Sequence, residues 1–306
     1  MLARSVPVYI VKFIAHWYKS QKIMIRWGNA LSETFTVGNG IKQGGLLSPY
    51  LFNLYVDNLS IQLNNSGVGC IVSNVIVNHL AYADDMILLA PSSRALQSLL
   101  NICSLYAVHH DITYSTEKSF CMISWPKRFL YKFIPNFFLQ NDKLDFVSEY
   151  KYLGVMVNDK MNDDSEIGKR MRFIYATGNM VTRKFSNCSI NCKVLMFQTF
   201  FSQVYCSALW ASFKVSSYNR IKISHNDIFR SLMQVPRWES ASALFATHRV
   251  PNFDAVVRSS CYSLMCRVQS STNTIVNALC NSEARLHSRL WQRWSTALGR
   301  DLMLAF

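Results

Sequence analysis

The 306-residue sequence predicts an α+β fold, in which a region of short strands and helices precedes a region that stays helical to the end. Three observations predict it. Apolar residues switch between strand and helix spacing as far as Val157, then keep helix spacing from Ser165 onward. Turn formers such as Gly28-Asn29, Gly38-Asn39-Gly40 and Asn64-Asn65-Ser66-Gly67 punctuate the early part. Half of the residues are hydrophobic, with 19 Phe, 14 Tyr and 7 Trp, so a sizeable core can form. That content excludes a disordered tail and a collagen-like or low-complexity chain.

Each element has a local reason. Ile10, Phe13, Ile14 and Trp17 recur at helical spacing over residues 9–22. The β-rich runs 22–27 and 33–37, parted at Gly28-Asn29, read as a hairpin. After Gln43-Gly44-Gly45, Ser48-Pro49 reads as a helix cap followed by proline at the first helical position. That helix runs to about Leu63, with Leu51, Phe52, Tyr55, Val56 and Leu59 as its apolar face. β-branched residues return over 71–77, and residues 78–89 read as strand, acidic turn, strand. Leu96, Leu99, Leu100, Ile102 and Leu105 make 92–108 helical, and a β-rich zone containing Pro126 and Pro135 continues to Val157. The order is αββαββαβ and then all helix, punctuated by Pro236 and Pro251, with no internal repeat.

Thirty-two Lys and Arg against 18 Asp and Glu give a formal charge of +14, unevenly spread. Residues 1–120 hold 8 basic and 6 acidic side chains, 121–240 hold 17 and 9, and 241–306 hold 7 and 3. The downstream excess suits a phosphate backbone, whose neutralisation releases counterions, and equally a solvated basic surface. The nine cysteines show no CxxC pair, so reduced thiols are expected rather than a disulfide framework or a metal knuckle. An intracellular address, nuclear or cytoplasmic and not secreted, is expected from the thiols and from an N-terminus without a signal sequence. The uncharged run 194–213 is about long enough to cross a bilayer, but its Gln198, Thr199, Ser202, Gln203, Ser207 and Ser212 favour a buried helix, so no membrane partner is expected. His109-His110, after a helix, is expected to be exposed. P-loop, HExxH and GxSxG motifs do not occur.

The adjacent carboxylates Asp84 and Asp85 carry the chemistry. Like charges so close repel, and a bound cation or a basic partner offsets them. Side chains alternate along a strand, so both face one way only if the turn redirects one. Magnesium takes one or two carboxylates together with substrate phosphate oxygens. A solvated hairpin tip accounts for the same pair.

Tyr82-Ala83-Asp84-Asp85 between apolar strands resembles the YADD box of reverse transcriptases, the RNA-directed DNA polymerases. Upstream, Gly40-Ile41-Lys42-Gln43-Gly44-Gly45-Leu46-Leu47-Ser48-Pro49-Tyr50-Leu51-Phe52-Asn53 resembles that family's GxxQGxxLSPxLFN segment. Tyr150-Lys151-Tyr152-Leu153-Gly154 resembles its primer-grip hairpin. Ser115-Thr116-Glu117-Lys118-Ser119 resembles the short motif that supplies a lysine, with Ser115 where Asn is usual. The likeness extends to Trp17-Tyr18 and Arg26-Trp27-Gly28 and is to the non-LTR (LINE-type) retrotransposon group.

The resemblance implies a partial polymerase palm over 1–160, a basic helical thumb over 161–235 and a helical C-terminal region of unassigned role over 236–306. It implies two Mg²⁺ ions that activate the primer hydroxyl and stabilise pyrophosphate. Asp84 would ligate metal, with Asp85 as second ligand or structural support. Gln43, Gly44 and Tyr82 would line the pocket for nucleotide and template base, and Lys118 would donate a proton to pyrophosphate. Tyr152, Leu153 and Gly154 would hold the primer end, and Lys169, Arg170, Arg172, Arg183 and Lys184 would track the duplex backbone. The implied partners are an RNA template, a DNA primer or RNA–DNA duplex, and deoxynucleoside triphosphates.

One departure matters. The family's first metal-binding aspartate belongs to an earlier "AFD"-like motif, and ahead of Asp84 the acidic residues are Glu33 and Asp57. Neither matches that place, so the sequence is expected to start downstream of the motif, without the fingers and first palm strand. Inactivity of the isolated chain follows as an expectation. The alternatives are a non-catalytic nucleic-acid-binding protein and the product of a decayed element.

Overall fold

The computed structural model describes residues 1–38, 40, 42, 44–124 and 134–299. The chain divides into two compact units, one of residues 1–70 and 76–113, the other of 71–75 and 114–306.

The first unit opens with α1 (Val8–Lys19), which follows Pro7 and buries none of its residues. Two small ladders follow. β1 (Lys22–Ile23) pairs with β4 (Phe35–Thr36), and inside that pair β2 (Arg26–Trp27) joins β3 (Ala30–Leu31) across Gly28-Asn29. Gly28, at φ 60, supplies the left-handed conformation this two-residue turn needs. α2 (Ser48–Asn65) comes next, and β5 (Cys70–Val72) and β6 (Val75–Val77) lie where the units meet in sequence. β7 (His79–Tyr82) and β8 (Asp85–Leu88) form a hairpin, and α3 (Ser93–His109) closes the unit. Ser92 caps α3 through its hydroxyl, which accepts from the Ala95 N–H at 3.2 Å. Leu59 and Leu63 of α2 pack with Leu99, Leu100, Cys103 and Tyr106 of α3 as the buried core, and the Tyr106 hydroxyl donates to the Tyr55 carbonyl at 2.5 Å.

Some sequence expectations need correction here. Ser48 does not cap α2, because its hydroxyl donates to the Lys42 carbonyl at 2.7 Å and Leu47 occupies the cap position. The helix therefore starts one residue early, with Pro49 still in its first turn. Tyr55, placed on the apolar face of α2, is exposed and instead donates its hydroxyl to the His110 carbonyl. His110 in turn is half-buried rather than exposed, stacked on Tyr106 with centroids 3.7 Å apart.

The second unit begins with a small sheet. β9 (Phe120–Cys121) runs parallel to β11 (Asp142–Phe146), which pairs antiparallel with β10 (Phe137–Leu139). β12 (Glu149–Tyr152) and β13 (Val155–Asn158) make a hairpin. Helices follow: α4 (Asp164–Phe185), α5 (Ile190–Phe201), α6 (Val215–Met233), α7 (Ala241–Thr247), α8 (Phe253–Gln269), α9 (Thr274–Asn281), α10 (Ala284–His287) and α11 (Arg289–Leu298).

One buried cluster runs through these helices from Ile167 to Trp294. α4 and α6 approach closely at Gly178, where an added Cβ would lie 2.3 Å from the Ile228 Cδ1. Phe197, Phe245 and Phe253 pack against His225, which is fully buried. The uncharged run 194–213 is not one helix. α5 stops at Phe201, and Cys206 adopts φ 60 before a short 3-10 turn at Ser207–Leu209. Among the described residues no helix is long and apolar enough to cross a membrane.

Candidate active site

The carboxylate pair sits at the tip of the β7–β8 hairpin. Register pairs Tyr82 with Asp85, so Ala83 and Asp84 alone form the turn. Ala83 takes φ 53, a left-handed conformation that costs a residue with a Cβ about 1–2 kcal/mol. The turn is what separates the two carboxylates: Asp85 begins a strand opposite Tyr82, while Asp84 lies outside the ladder. Tyr82, Asp84 and Asp85 are all exposed, and neither carboxylate forms an ion pair among the described residues.

The base of the hairpin is fixed by a residue that sequence reasoning passed over. Asn78, almost fully buried, donates its amide to the Leu63 carbonyl at 2.6 Å and to the Val68 carbonyl at 2.8 Å. With both amide hydrogens so used, its Oδ1 is an acceptor, and the His79 Nδ1 at 2.8 Å is then the protonated ring nitrogen. Burial holds the His79 pKa below the ordinary histidine value, which suits a neutral ring in this role. Gly69 makes room for the anchor, because a Cβ there would lie 2.7 Å from the Asn78 Cβ. The sequence carried one signal of this: a single amide within the apolar run around 75–82.

The glycine-rich segment before α2 lies in the same unit. Gly44 has φ 77 and is exposed, a conformation that favours glycine. At Gly45 a Cβ would lie 2.7 Å from the Ser48 Oγ and 3.2 Å from the Lys42 carbonyl, so glycine permits the Ser48–Lys42 bond. Gln43 lies outside the described residues.

The remaining candidates belong to the second unit. Lys118 ends the 3-10 turn Thr116–Lys118 with its side chain exposed, and its carbonyl accepts from the Tyr150 hydroxyl at 3.5 Å. Tyr152 pairs with Val155, leaving Leu153-Gly154 as a two-residue turn with φ 45 and φ 83. Both values are positive, as the tight hairpin turn requires, and Leu153 holds its value against its own Cβ. The turn is pinned from outside by the Tyr205 hydroxyl, which donates to the Leu153 carbonyl at 2.8 Å.

Lys169 and Arg170 add to this pinning. The Lys169 Nζ and the Arg170 Nη2 both donate to the Gly154 carbonyl, at 2.6 and 2.8 Å. Both cations also serve Glu166, which is buried to 1% exposure and accepts the Met156 N–H at 2.8 Å. Arg170 further lies over the Tyr205 ring, 4.6 Å from its centroid. By contrast Arg172, Arg183 and Lys184 are exposed on α4, and Arg172 and Arg183 recur on one helical face. The five basic residues thus divide into an inward pair and an outward three.

The fit of a metal follows from the donor set. Asp84 and Asp85 offer hard oxygen ligands on an exposed turn, suited to a magnesium ion that takes its other ligands from substrate and water. No group of three or more His, Cys, Asp or Glu that could hold a metal occurs among the described residues.

The family described as "Reverse transcriptase (RNA-dependent DNA polymerase)" matches residues 2–157. That is half of the chain, and it contains the glycine-rich segment, the β7–β8 hairpin and all but the last residue of the β12–β13 hairpin. The chain belongs to the reverse transcriptase family. A stretch of 99 residues is 36% identical to part of the Retrovirus-related Pol polyprotein from type-2 retrotransposable element R2DM of Drosophila melanogaster. It covers 32% of this chain and 9% of that protein. Another match, 28% identical over 134 residues, is to the Retrovirus-related Pol polyprotein from type-1 retrotransposable element R2 of Popillia japonica, covering 42% of this chain and 22% of that protein. These matches make it a reverse transcriptase domain of the non-LTR retrotransposon kind, spanning a small part of the relatives' length. Reverse transcriptases bind nucleic-acid templates and nucleotides and use divalent metal ions.

Proposed function

We propose that this chain supplies the second half of the catalytic carboxylate set of an RNA-directed DNA polymerase, with Asp84 and Asp85 as Mg²⁺ ligands. The observation that carries this is the exposed carboxylate pair on a turn whose strained Ala83 and buried Asn78 hold it in place. Bound magnesium supplies Lewis acidity for primer-hydroxyl attack and charge neutralisation on the leaving pyrophosphate. The protein's own part is positional. The β7–β8 ladder fixes where the carboxylates stand, and Gly44 and Tyr82, both exposed, would with Gln43 line the pocket for an incoming nucleotide. Lys118 keeps an exposed ammonium for the leaving group, and the pinned 152–154 turn holds the primer end.

A pair of magnesium ions would need a further carboxylate ligand beyond Asp84 and Asp85. Of the acidic residues before Asp84, Asp57 is paired with Arg4 on α2, and Glu33 lies between β3 and β4. Neither matches the place of the family's first metal-binding aspartate, so in this reading the 306 residues on their own are inactive. Loss of such a ligand costs roughly 10³-fold or more in rate. The test is template-directed primer extension with Mg²⁺, comparing this chain with one joined to an "AFD"-bearing segment. Only the joined version should incorporate nucleotide, and Asp84→Asn should abolish that. Extension by the 306 residues alone, sensitive to Asp84→Asn, overturns the requirement for an added carboxylate.

A second reading, nucleic-acid binding without catalysis, is favoured by one observation. Arg172, Arg183 and Lys184 stand exposed on α4 and no acidic side chain pairs with them among the described residues.

A further inference from the structure

α6 ends in a rigid turn with an aromatic tip. Gln234 takes φ 59, and the Val235 N–H returns to the Arg230 carbonyl at 2.9 Å. The Gln234 side chain donates to the Ser186 carbonyl at 3.2 Å, tying the turn to the end of α4, where Arg183 and Lys184 are exposed. The Glu239 N–H then reaches the Pro236 carbonyl at 3.1 Å, and the Arg230 Nε donates to the Glu239 carbonyl at 2.9 Å. Asp227 holds both Arg230 and Arg237 at 3.2 Å.

Held from both sides, the turn leaves Trp238 85% exposed and the Arg237 side chain 82% exposed. A cleft of about 390 Å³ opens beside it, lined by Tyr175, Asn179, Ser231, Pro236 and Arg237 among others. A single exposed apolar side chain needs no explanation. A tryptophan on a hydrogen-bonded turn, with Arg237 before it, the exposed Glu239 after it and a cleft lined by Asp227, Arg230 and Arg237 next to the turn, does. Its flat face suits another flat face, and the cations suit anions on either side of it. A duplex hides its base faces in the stack, whereas a single strand presents them together with its phosphates.

We propose that the 236–239 turn is a binding site for single-stranded nucleic acid, with Trp238 stacking on an unpaired base and Arg237, Arg183 and Lys184 meeting the flanking phosphates. This extends the nucleic-acid reading above, and duplex binding measured in parallel separates a failure of one from a failure of the other.

The experiment is fluorescence anisotropy with the full chain and labelled 12-mers: uridine RNA, thymidine DNA, the same DNA with abasic sites, and an RNA–DNA hybrid. Trp238→Ala should weaken both single strands by about 5- to 150-fold, the range of one base stack. Trp238→Phe should restore most of the affinity, and the hybrid and the abasic strand should bind wild type and Trp238→Ala alike. Arg237→Gln should lower the salt slope of single-strand binding by about 1. Loss on RNA but not DNA, or the reverse, keeps the site and assigns it to that sugar. Equal affinity of wild type and Trp238→Ala for both base-bearing single strands, or an equal loss on the abasic strand, overturns the proposal. So does a dimer-to-monomer change in Trp238→Ala with unaltered single-strand binding, which assigns the turn to self-association.

Discussion

Glu166 is the residue whose removal the structure makes most costly near the Leu153-Gly154 turn. Its carboxylate is buried to 1% exposure, accepts the Met156 N–H at 2.8 Å, and pairs with Arg170 and Lys169. Glu166→Ala leaves the Met156 N–H without its acceptor, worth about 1–3 kcal/mol. It also unpairs two cations, and breaking a buried pair costs about 3–5 kcal/mol in full. Here that second cost is discounted, because Arg170 and Lys169 are 15% and 27% exposed and keep the Gly154 carbonyl. The expected total is about 3 kcal/mol, or a fall of about 6–12 °C in melting temperature for a domain of this size. Glu166→Gln retains an oxygen for the Met156 N–H and loses only the charge, so it should cost about half as much. Urea unfolding at pH 7 measures both variants. A cost below about 1 kcal/mol for Glu166→Ala, or a Glu166→Gln as damaging as the alanine, refutes the role given to the Met156 bond.

The other predictions concern separate parts of the molecule. His225 is fully buried among phenylalanines, and burial lowers its pKa to about 4 from the ordinary 6.5. The folded state therefore resists the proton that the unfolded state accepts: stability is full above about pH 6.5 and falls toward pH 4 by about 3 kcal/mol. His225→Phe should flatten that slope in urea titrations across the window. Gly69→Ala drives a methyl into Asn78 and should cost about 1–3 kcal/mol, read as loss of the first unit's cooperative unfolding. Replacing Arg172, Arg183 and Lys184 by Gln should lower the salt slope of duplex binding by about 1 for each, while Lys169→Gln changes stability more than slope. Asp84→Asn with Asp85→Asn should leave duplex affinity unchanged or slightly raised, since it removes negative charge near a polyanion.

Much of the fold was legible because it rests on local rules. Gly28-Asn29 marks a tight turn, the helix expected over 92–108 forms as Ser93–His109, and the apolar spacing from Ser165 onward is that of helices that do form. The turn of the β7–β8 hairpin was legible for the same reason, since apolar strands flank the acidic residues, although the turn itself is Ala83-Asp84 and Asp85 begins β8. What escaped depends on partners distant in sequence. Ser48 looked like a cap, but the carbonyl of Lys42 outcompeted the helix N-terminus for its hydroxyl. The break after Phe201 carries neither Gly nor Pro, and the residues beyond it, Ala208 and Trp210, join the same buried cluster as α5. Glu166 stands three and four residues before Lys169 and Arg170, a spacing visible in sequence, yet the burial of its carboxylate under β13 was not.

The β7–β8 and β12–β13 hairpins solve one physical problem in opposite ways. Each has a two-residue turn that forces a residue with a Cβ to positive φ, Ala83 in one and Leu153 in the other. Such a backbone persists only where its surroundings over-determine it. At Leu153-Gly154 the support grips the turn itself, through Tyr205, Lys169 and Arg170 on its two carbonyls. At Ala83-Asp84 the support sits at the far end of the ladder, where Asn78 is fastened to the Leu63 and Val68 carbonyls, and the tip is left in water. The difference suits the roles proposed above. A turn that would hold a primer end by shape gains from being clamped. A turn that would present carboxylates to a hydrated cation has to keep its oxygens clear of protein cations, because an arginine at that place would neutralise the charge a metal needs. Introducing a cation beside the tip, as in Ala81→Arg, should therefore weaken Mn²⁺ binding to the joined, active form while leaving the melting temperature nearly unchanged, a pair of results that a merely solvated hairpin tip would not produce.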